Sequence, residues 1–212
     1  MKAMTPLLIM ILLVGCSAET KEIPEEKAKD MEVFFCPRDN CSENLVGLIN
    51  SADRYVYCAL FDLRLKDVIR ALAKKSKEVP VKIVMDNINN RSQLKGKNIL
   101  LDDDNQLTHN KFCVIDDIKV WTGSFNPTER GNKKNNNNAM IIYSGYLAKN
   151  YKDEFHELWN KEFGEGKKVE YPKVLINNKR FGNYFCPEDR CRDQLIKEIL
   201  KADHSIYFMT YS

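Results

Sequence analysis

The sequence predicts an α/β domain followed by the opening of a second copy of itself. Two observations carry this. Segments with helical apolar spacing alternate with short, continuous apolar runs rich in Val, Ile and Tyr, the pattern of helices packed on a largely buried sheet. In addition, Phe35 to Asp62 aligns without gaps with Phe185 to Ser212, with 10 of 28 positions identical, which marks a duplication. A composition of 43% hydrophobic and 30% charged residues excludes a disordered chain. The net charge of +3 is too small to identify a polyanionic partner or to oppose one.

Taken in order, the chain begins with Lys2, an apolar run from Pro6 to Val14, the residues LVGC and then the polar SAETKEIPEEKAKD. The run is too short for a permanent membrane span and suits an export signal over residues 1–15, with a polar linker over 16–31. LVGC resembles the lipobox of prokaryotic lipoproteins, which implies lipidation of Cys16 and a membrane-anchored, extracytoplasmic protein; a plain secretory signal is the alternative. Outside the cytoplasm thiols oxidise, so FCPRDNC and FCPEDRC are expected to close two local disulfides, Cys36 with Cys41 and Cys186 with Cys191. A four-Cys zinc site is the alternative. Cys58 and Cys113 lie in apolar runs and are expected to be buried small hydrophobes.

The main domain is expected over 32–170. Cys41 to Ala52 has helical spacing, YVYCALFDL reads as a buried strand, Leu65 to Lys77 as an amphipathic helix and VKIVMDN as a second buried strand. A polar loop over Asn87 to Asn98 precedes a short strand at Ile99 to Leu101. An Asn-rich loop over Arg130 to Asn138 leads into the strand AMIIYS. The helix from Tyr146 to Phe163 repeats Leu147, Tyr151, Phe155, Leu158 and Trp159 along one face, ordinary core packing. Residues 171–212 read as a linker and the truncated start of the second copy, ending in the strand HSIYFMTYS before any counterpart of His109.

Between these elements lies HNKFCVIDDIKVWTGSFN, His109 to Asn126, whose alternating halves flank Asp116-Asp117 as a hairpin would. A two-residue turn there sets Cys113 opposite Val120, Lys111 opposite Thr122 and His109 opposite Ser124, so that His109, Lys111, Ser124 and Asn126 converge at the open end. An imidazole, an ammonium, a hydroxyl and a carboxamide, without a carboxylate cluster for a metal, suit a tetrahedral anion such as phosphate.

This stretch resembles the signature of the phospholipase D superfamily, His-x-Lys, four residues, Asp, six residues, Gly-Ser-x-Asn, with His109, Lys111, Asp116, Gly123, Ser124 and Asn126 in register. The resemblance runs from about Met31 to the C-terminus and is nearest the small nuclease branch. It implies a phospholipase D-like half-domain, a mixed β-sheet flanked by helices, plus the start of a second. It also implies phosphodiester hydrolysis through a phosphohistidine, with no metal or other cofactor. His109 is then nucleophile or general acid, Lys111 and Asn126 bind phosphate oxygens with support from Ser124, and Asp116 belongs to the catalytic motif as its organiser. A second such motif must face the first, from a homodimer partner or from a C-terminal half. His156 and His204 are not expected to replace it, so the chain alone is expected to be monomeric and weakly active or inactive. One departure stands out: Asn137 occupies the place where the family commonly carries an acidic residue that orients the His.

The substrate expected from sequence is nucleic acid, with phospholipid as runner-up and an inactive binding module as a different class. Lys74, Lys75, Lys77, Arg91, Lys95, Lys97, Arg130, Lys133 and Lys134 fall near expected loops, where they would form a phosphate-tracking rim or simply a solvated surface.

Overall fold

The computed structural model describes residues 22–89, 96–103 and 107–210. The expected signal segment, Cys16, Arg91 and Lys95 lie outside the described residues. A seven-stranded mixed sheet runs in the order β2-β8-β7-β6-β3-β4-β5. Its strands are β2 (Glu32–Cys36), β3 (Val56–Leu60), β4 (Val81–Asp86), β5 (Ile99–Asp102), β6 (Lys111–Ile115), β7 (Lys119–Gly123) and β8 (Asn137–Tyr143). β3, β4 and β5 are parallel to one another, whereas β6, β7, β8 and β2 alternate in direction. Helices α1 (Cys41–Asn50) and α2 (Lys66–Lys75) cover one face, and α4 (Gly145–Trp159) covers the other.

The period-two alternation along β6 explains the two-sided burial. Cys113 and Ile115 face α1 and α2 with Trp121, Phe125 and Leu45, while Phe112 and Val114 face the α4 side. Every one of these side chains is buried, so the central strands lack a solvent face and read as continuous apolar runs.

A second, three-stranded sheet, in the order β1-β9-β10, joins β1 (Glu25–Glu26), β9 (Lys173–Ile176) and β10 (Lys179–Gly182). The expected linker over 16–31 therefore contributes a strand, pairing Glu25 and Glu26 with Leu175 and Ile176. The β9–β10 turn is Asn177-Asn178, both at positive φ, a conformation that Asn tolerates and the reason this pair marks a hairpin.

Three sequence expectations change. The hairpin closes on Ile115 and Lys119, so its loop is Asp116-Asp117-Ile118, and Cys113 pairs with Trp121 rather than Val120. Asp116 and Asp117 take φ of 59° and 60°, and the Ile118 N–H donates to the Ile115 carbonyl, a tight turn followed by one extra residue. Cys58 and Cys113, directly opposed on β3 and β6, are bonded to each other rather than serving as free hydrophobes. HSIYFMTYS forms no strand over its described residues, and among the described residues no strand pairs with it. Cys36 is bonded to Cys41 and Cys186 to Cys191. Among the described residues no helix is long and apolar enough to cross a membrane.

Candidate active site

One end of the large sheet gathers the C-terminal ends of β3, β4 and β5 with the start of β6, the end of β7 and the start of β8. Open α/β sheets bind ligands at this end, where backbone and loop groups are left unpaired by the sheet. His109 and Lys111 arrive there because Lys111 is registered with Leu60, the last residue of β3. The Phe61 N–H then donates to the Asn110 carbonyl at 2.8 Å. Phe61 was not foreseen from sequence, yet its ring receives both groups, His109 edge-on at 4.5 Å and the Lys111 ammonium at 4.9 Å from its centroid. The Lys111 ammonium also donates to the His109 carbonyl at 2.7 Å.

The corrected register would turn Ser124 and Asn126 to the wrong face if β7 simply continued. Gly123 prevents that. Its φ of +143° breaks the pleat, and a Cβ there would lie 2.4 Å from the Asn138 carbonyl, so only glycine fits. Beyond it the chain leaves the sheet. Ser124 N–H donates to the Asn138 carbonyl at 2.9 Å, and Ser124 Oγ accepts the Asn138 N–H at 3.0 Å while donating to Asn137 Oδ1 at 3.3 Å. Asn126 follows, with its Oδ1 buried and without a hydrogen-bond partner. Such an atom normally has a donor partner in protein or water; toward a phosphate oxygen, only the Nδ2 of this amide could donate. The short helix α3 (Glu129–Lys133) packs on it through Gly131, where a Cβ would lie 2.2 Å from the Asn126 carbonyl. The Pro127 carbonyl accepts the N–H groups of Arg64 and Leu65 and ties this loop to the one after β3.

Two sequence assignments end elsewhere. Asp116 lies at the opposite end of β6 from His109, where its carboxylate accepts the N–H groups of Asp53, Arg54 and Tyr55 at 2.9, 2.8 and 3.0 Å. Burial pushes its pKa up, but these three bonds and Lys119 outweigh that and hold it below the ordinary carboxylate range. It pins the hairpin to the start of β3 and does not join the site. Asn137, expected behind His109, spends its Oδ1 on Ser124 and its Nδ2 on the Gly131 carbonyl, so it fixes the Gly-Ser-x-Asn loop instead.

Burial lowers the pKa of His109, the Lys111 charge lowers it further and Asp86 raises it, with a net shift downward. The ring is therefore neutral near pH 7 and has a free lone pair. Burial alone lowers Lys111 to about 8, so a dianionic or monoanionic ligand that restores its partner charge would be held strongly. Asp86 and Asp102, buried at the ends of β4 and β5, were also missed, though each ends an apolar run as VKIVMD and ILLD. Asp102 accepts the Thr108 hydroxyl at 2.5 Å and anchors the residue before His109. Among the described residues no group of three or more His, Cys, Asp and Glu is placed to hold a metal ion.

A mixed α/β sheet with His-x-Lys leading into one strand and Gly-Ser-x-Asn leaving the next, both at the rim where the parallel strands end, defines a phospholipase D-like domain. The family model described as "Cardiolipin synthase, PLD-like domain" matches residues 45–159, and the chain belongs to that family, within the phospholipase D superfamily. It is similar to "Phospholipase D" of Rickettsia typhi, 30% identical over 142 residues that cover 61% of this chain and 68% of that protein. It is also similar to "Mitochondrial cardiolipin hydrolase" of Xenopus tropicalis, 29% identical over 141 residues, 61% of this chain and 67% of that one. The crystal structure of the phospholipase D family member Nuc from Salmonella typhimurium superposes with a TM-score of 0.56 at 25% identity, covering 62% of this chain and 94% of that chain.

Proposed function

We propose that the rim site hydrolyses phosphodiesters through a phosphohistidine. The neutral His109 ring attacks phosphorus, the P–O bond to the leaving alcohol breaks, and water later cleaves the P–N bond to release the phosphomonoester. Lys111 and Asn126 hold the non-bridging oxygens, with Ser124 keeping the Asn126 loop in place. The observation that carries this reading is the pairing of His109 and Lys111 over Phe61 at the same rim as the Gly-Ser-x-Asn loop, where the Nδ2 of Asn126 would be the donor to phosphate. The leaving group needs an acid. His156 packs beside Tyr57 and His204 is exposed, so we assign the acid to a second motif, from His109 of another molecule or from a C-terminal half.

For the substrate, the placement of Lys74, Lys75, Lys77 and Lys97 weighs against tracking along a polyanion. Lys74, Lys75 and Lys77 end α2 at the sheet end opposite the site, and Lys75 is occupied by the Ala52 carbonyl and Glu78. Lys97 precedes β5 and is likewise remote. At the site rim, Ile88 after β4 and Leu107 before His109 are exposed apolar side chains. This favours a phospholipid diester presented at a membrane interface, consistent with the names of two relatives and with the anchor expected at Cys16. Nucleic acid is the second reading, supported by Arg130, Lys133 and Lys134 in and after α3.

The purified protein incubated with cardiolipin-containing liposomes and with plasmid DNA separates the two readings, and lipid turnover should exceed DNA cleavage. Activity should persist in excess EDTA. Loss on chelation with recovery in Mg²⁺ would sink the phosphohistidine route.

A further inference from the structure

The strand that carries His109 and Lys111 is gripped from behind. Asn110 and Phe112, the residues on either side of Lys111, point to the opposite face of the sheet, toward α4. There the Asn110 amide donates to the carboxyl of Glu154. Phe112 meets Tyr151 of α4 at 5.0 Å and Phe185 at 6.0 Å, and Phe185 meets Tyr151 at 5.0 Å. Phe185 opens the repeated FCPEDRC segment, so the start of the second copy touches the site strand directly. Its copy-one counterpart, Phe35, is 61% exposed and has no comparable packing.

We propose that Glu154 and Phe185 are positioning residues, holding Asn110 and Phe112 so that Lys111 and His109 are presented to the substrate, and thereby coupling the second copy to the site. The inference rests on the phosphodiesterase reading for its kinetic arm only. Glu154 lies within electrostatic reach of Glu157 on its own helix, of Glu188 and Asp189 in the second-copy loop and of the Tyr151 hydroxyl. The carboxylate of Glu188 accepts the Gly166 N–H, and that of Asp189 accepts the N–H groups of Val169 and Phe185. Burial and these carboxylates push Glu154 up to about 8, so it is the member that carries a proton at neutral pH.

The test compares E154Q, E154L, F185A and the control F35A in the full chain. Bis(p-nitrophenyl) phosphate serves as the diester, and amide hydrogen exchange is followed at residues 109–112. E154L and F185A should each lower kcat about tenfold and speed exchange at these residues, while E154Q retains at least half of wild-type turnover and F35A matches wild type. A carboxyl whose pKa is raised in the fold contributes stability that is present below its unfolded value and lost as pH rises toward 8. E154Q should therefore melt above wild type at pH 8 and level with it at pH 4.5. Wild-type kcat and wild-type exchange in both E154L and F185A would overturn the proposal. If the wild type cleaves no diester, the functional reading fails, and exchange at 109–112 still decides the positioning role.

Discussion

The two copies build the same local structure and bury different amounts of it. In each, the Cys-Pro bond is cis, the Asp carboxylate accepts the Phe N–H (Asp39 to Phe35 at 2.7 Å, Asp189 to Phe185 at 2.8 Å), and the bridged cysteines lie 5.8 Å apart at Cα. A left-handed residue, Asn40 or Arg190, then starts a helix, α1 in copy one and α5 (Cys191–Ile199) in copy two. From there they diverge. Leu45 and Ile49 are fully buried, whereas their counterparts Leu195 and Ile199 are 62% and 43% exposed, and Val56 at 0% corresponds to Ile206 at 51%. Helix α1 is packed under α2 and the large sheet, and among the described residues nothing plays that part for α5. The repeated residues are thus sufficient for the turn, the disulfide and the helix start. A strand and a core require neighbours from the rest of a domain.

If the chemistry belongs to copy one, the largest difference should be seen in its histidine. H109A should reduce turnover by about 10³-fold or more with the melting temperature unchanged, and H204A, in copy two, should leave turnover intact. Steady-state kinetics on both variants checks this, and wild-type rates in H109A would mean the site is misassigned. The next contrast is in packing. L45A should cost about 2–5 kcal/mol as a cavity in a close-packed core, while L195A should change stability by less than about 0.5 kcal/mol. Equal losses in denaturant unfolding would show that α5 is covered in solution by a partner.

The same contrast applies to the staples. Each closes a loop of equal length, worth about 2 kcal/mol of unfolded-state entropy. Replacing Cys36 and Cys41 by Ala should cost that amount in global unfolding, and replacing Cys186 and Cys191 should cost less than half, because α5 has no buried residue that couples its order to the core. Non-reducing peptide mapping should in addition recover Cys58 linked to Cys113, the pair that ties the site strand to β3.

What was legible in the sequence follows the range of the interactions. The alternation of helices and strands, the repeat and the residues of the His-x-Lys stretch depend on local pattern and could be read directly. The register could not, since two adjacent aspartates at positive φ leave open whether the turn holds two residues or three, and one residue moves every facing side chain. Cys58 and Cys113 look like core hydrophobes until β3 and β6 are known to be neighbours. Phe61, Glu154 and Asn137 likewise take their roles from strand order and helix docking, which apolar spacing does not specify. Asp116 is the reverse case: it sits inside the motif but is separated from His109 by the length of a strand, and its work is to fasten the hairpin.

The smallest effect sharpens the comparison by pH, through Lys111 on the site strand of copy one. Burial lowers the Lys111 pKa to about 8, so the ammonium that would hold phosphate is lost within an accessible range. Above pH 8, kcat/KM should fall by about tenfold per unit as the charge disappears. Stability should move the other way. A lysine whose folded pKa lies below its unfolded value disfavours the fold while charged, so its contribution to stability rises as pH climbs from about 8 toward 10.5. Glu154 titrates in the same range, and the two are separated by substitution. K111R keeps its charge throughout and should shift the falling limb of kcat/KM to higher pH, whereas E154Q should leave that limb where it is. A limb that stays in place in K111R and moves in E154Q would assign the titration to α4 and remove Lys111 from phosphate binding.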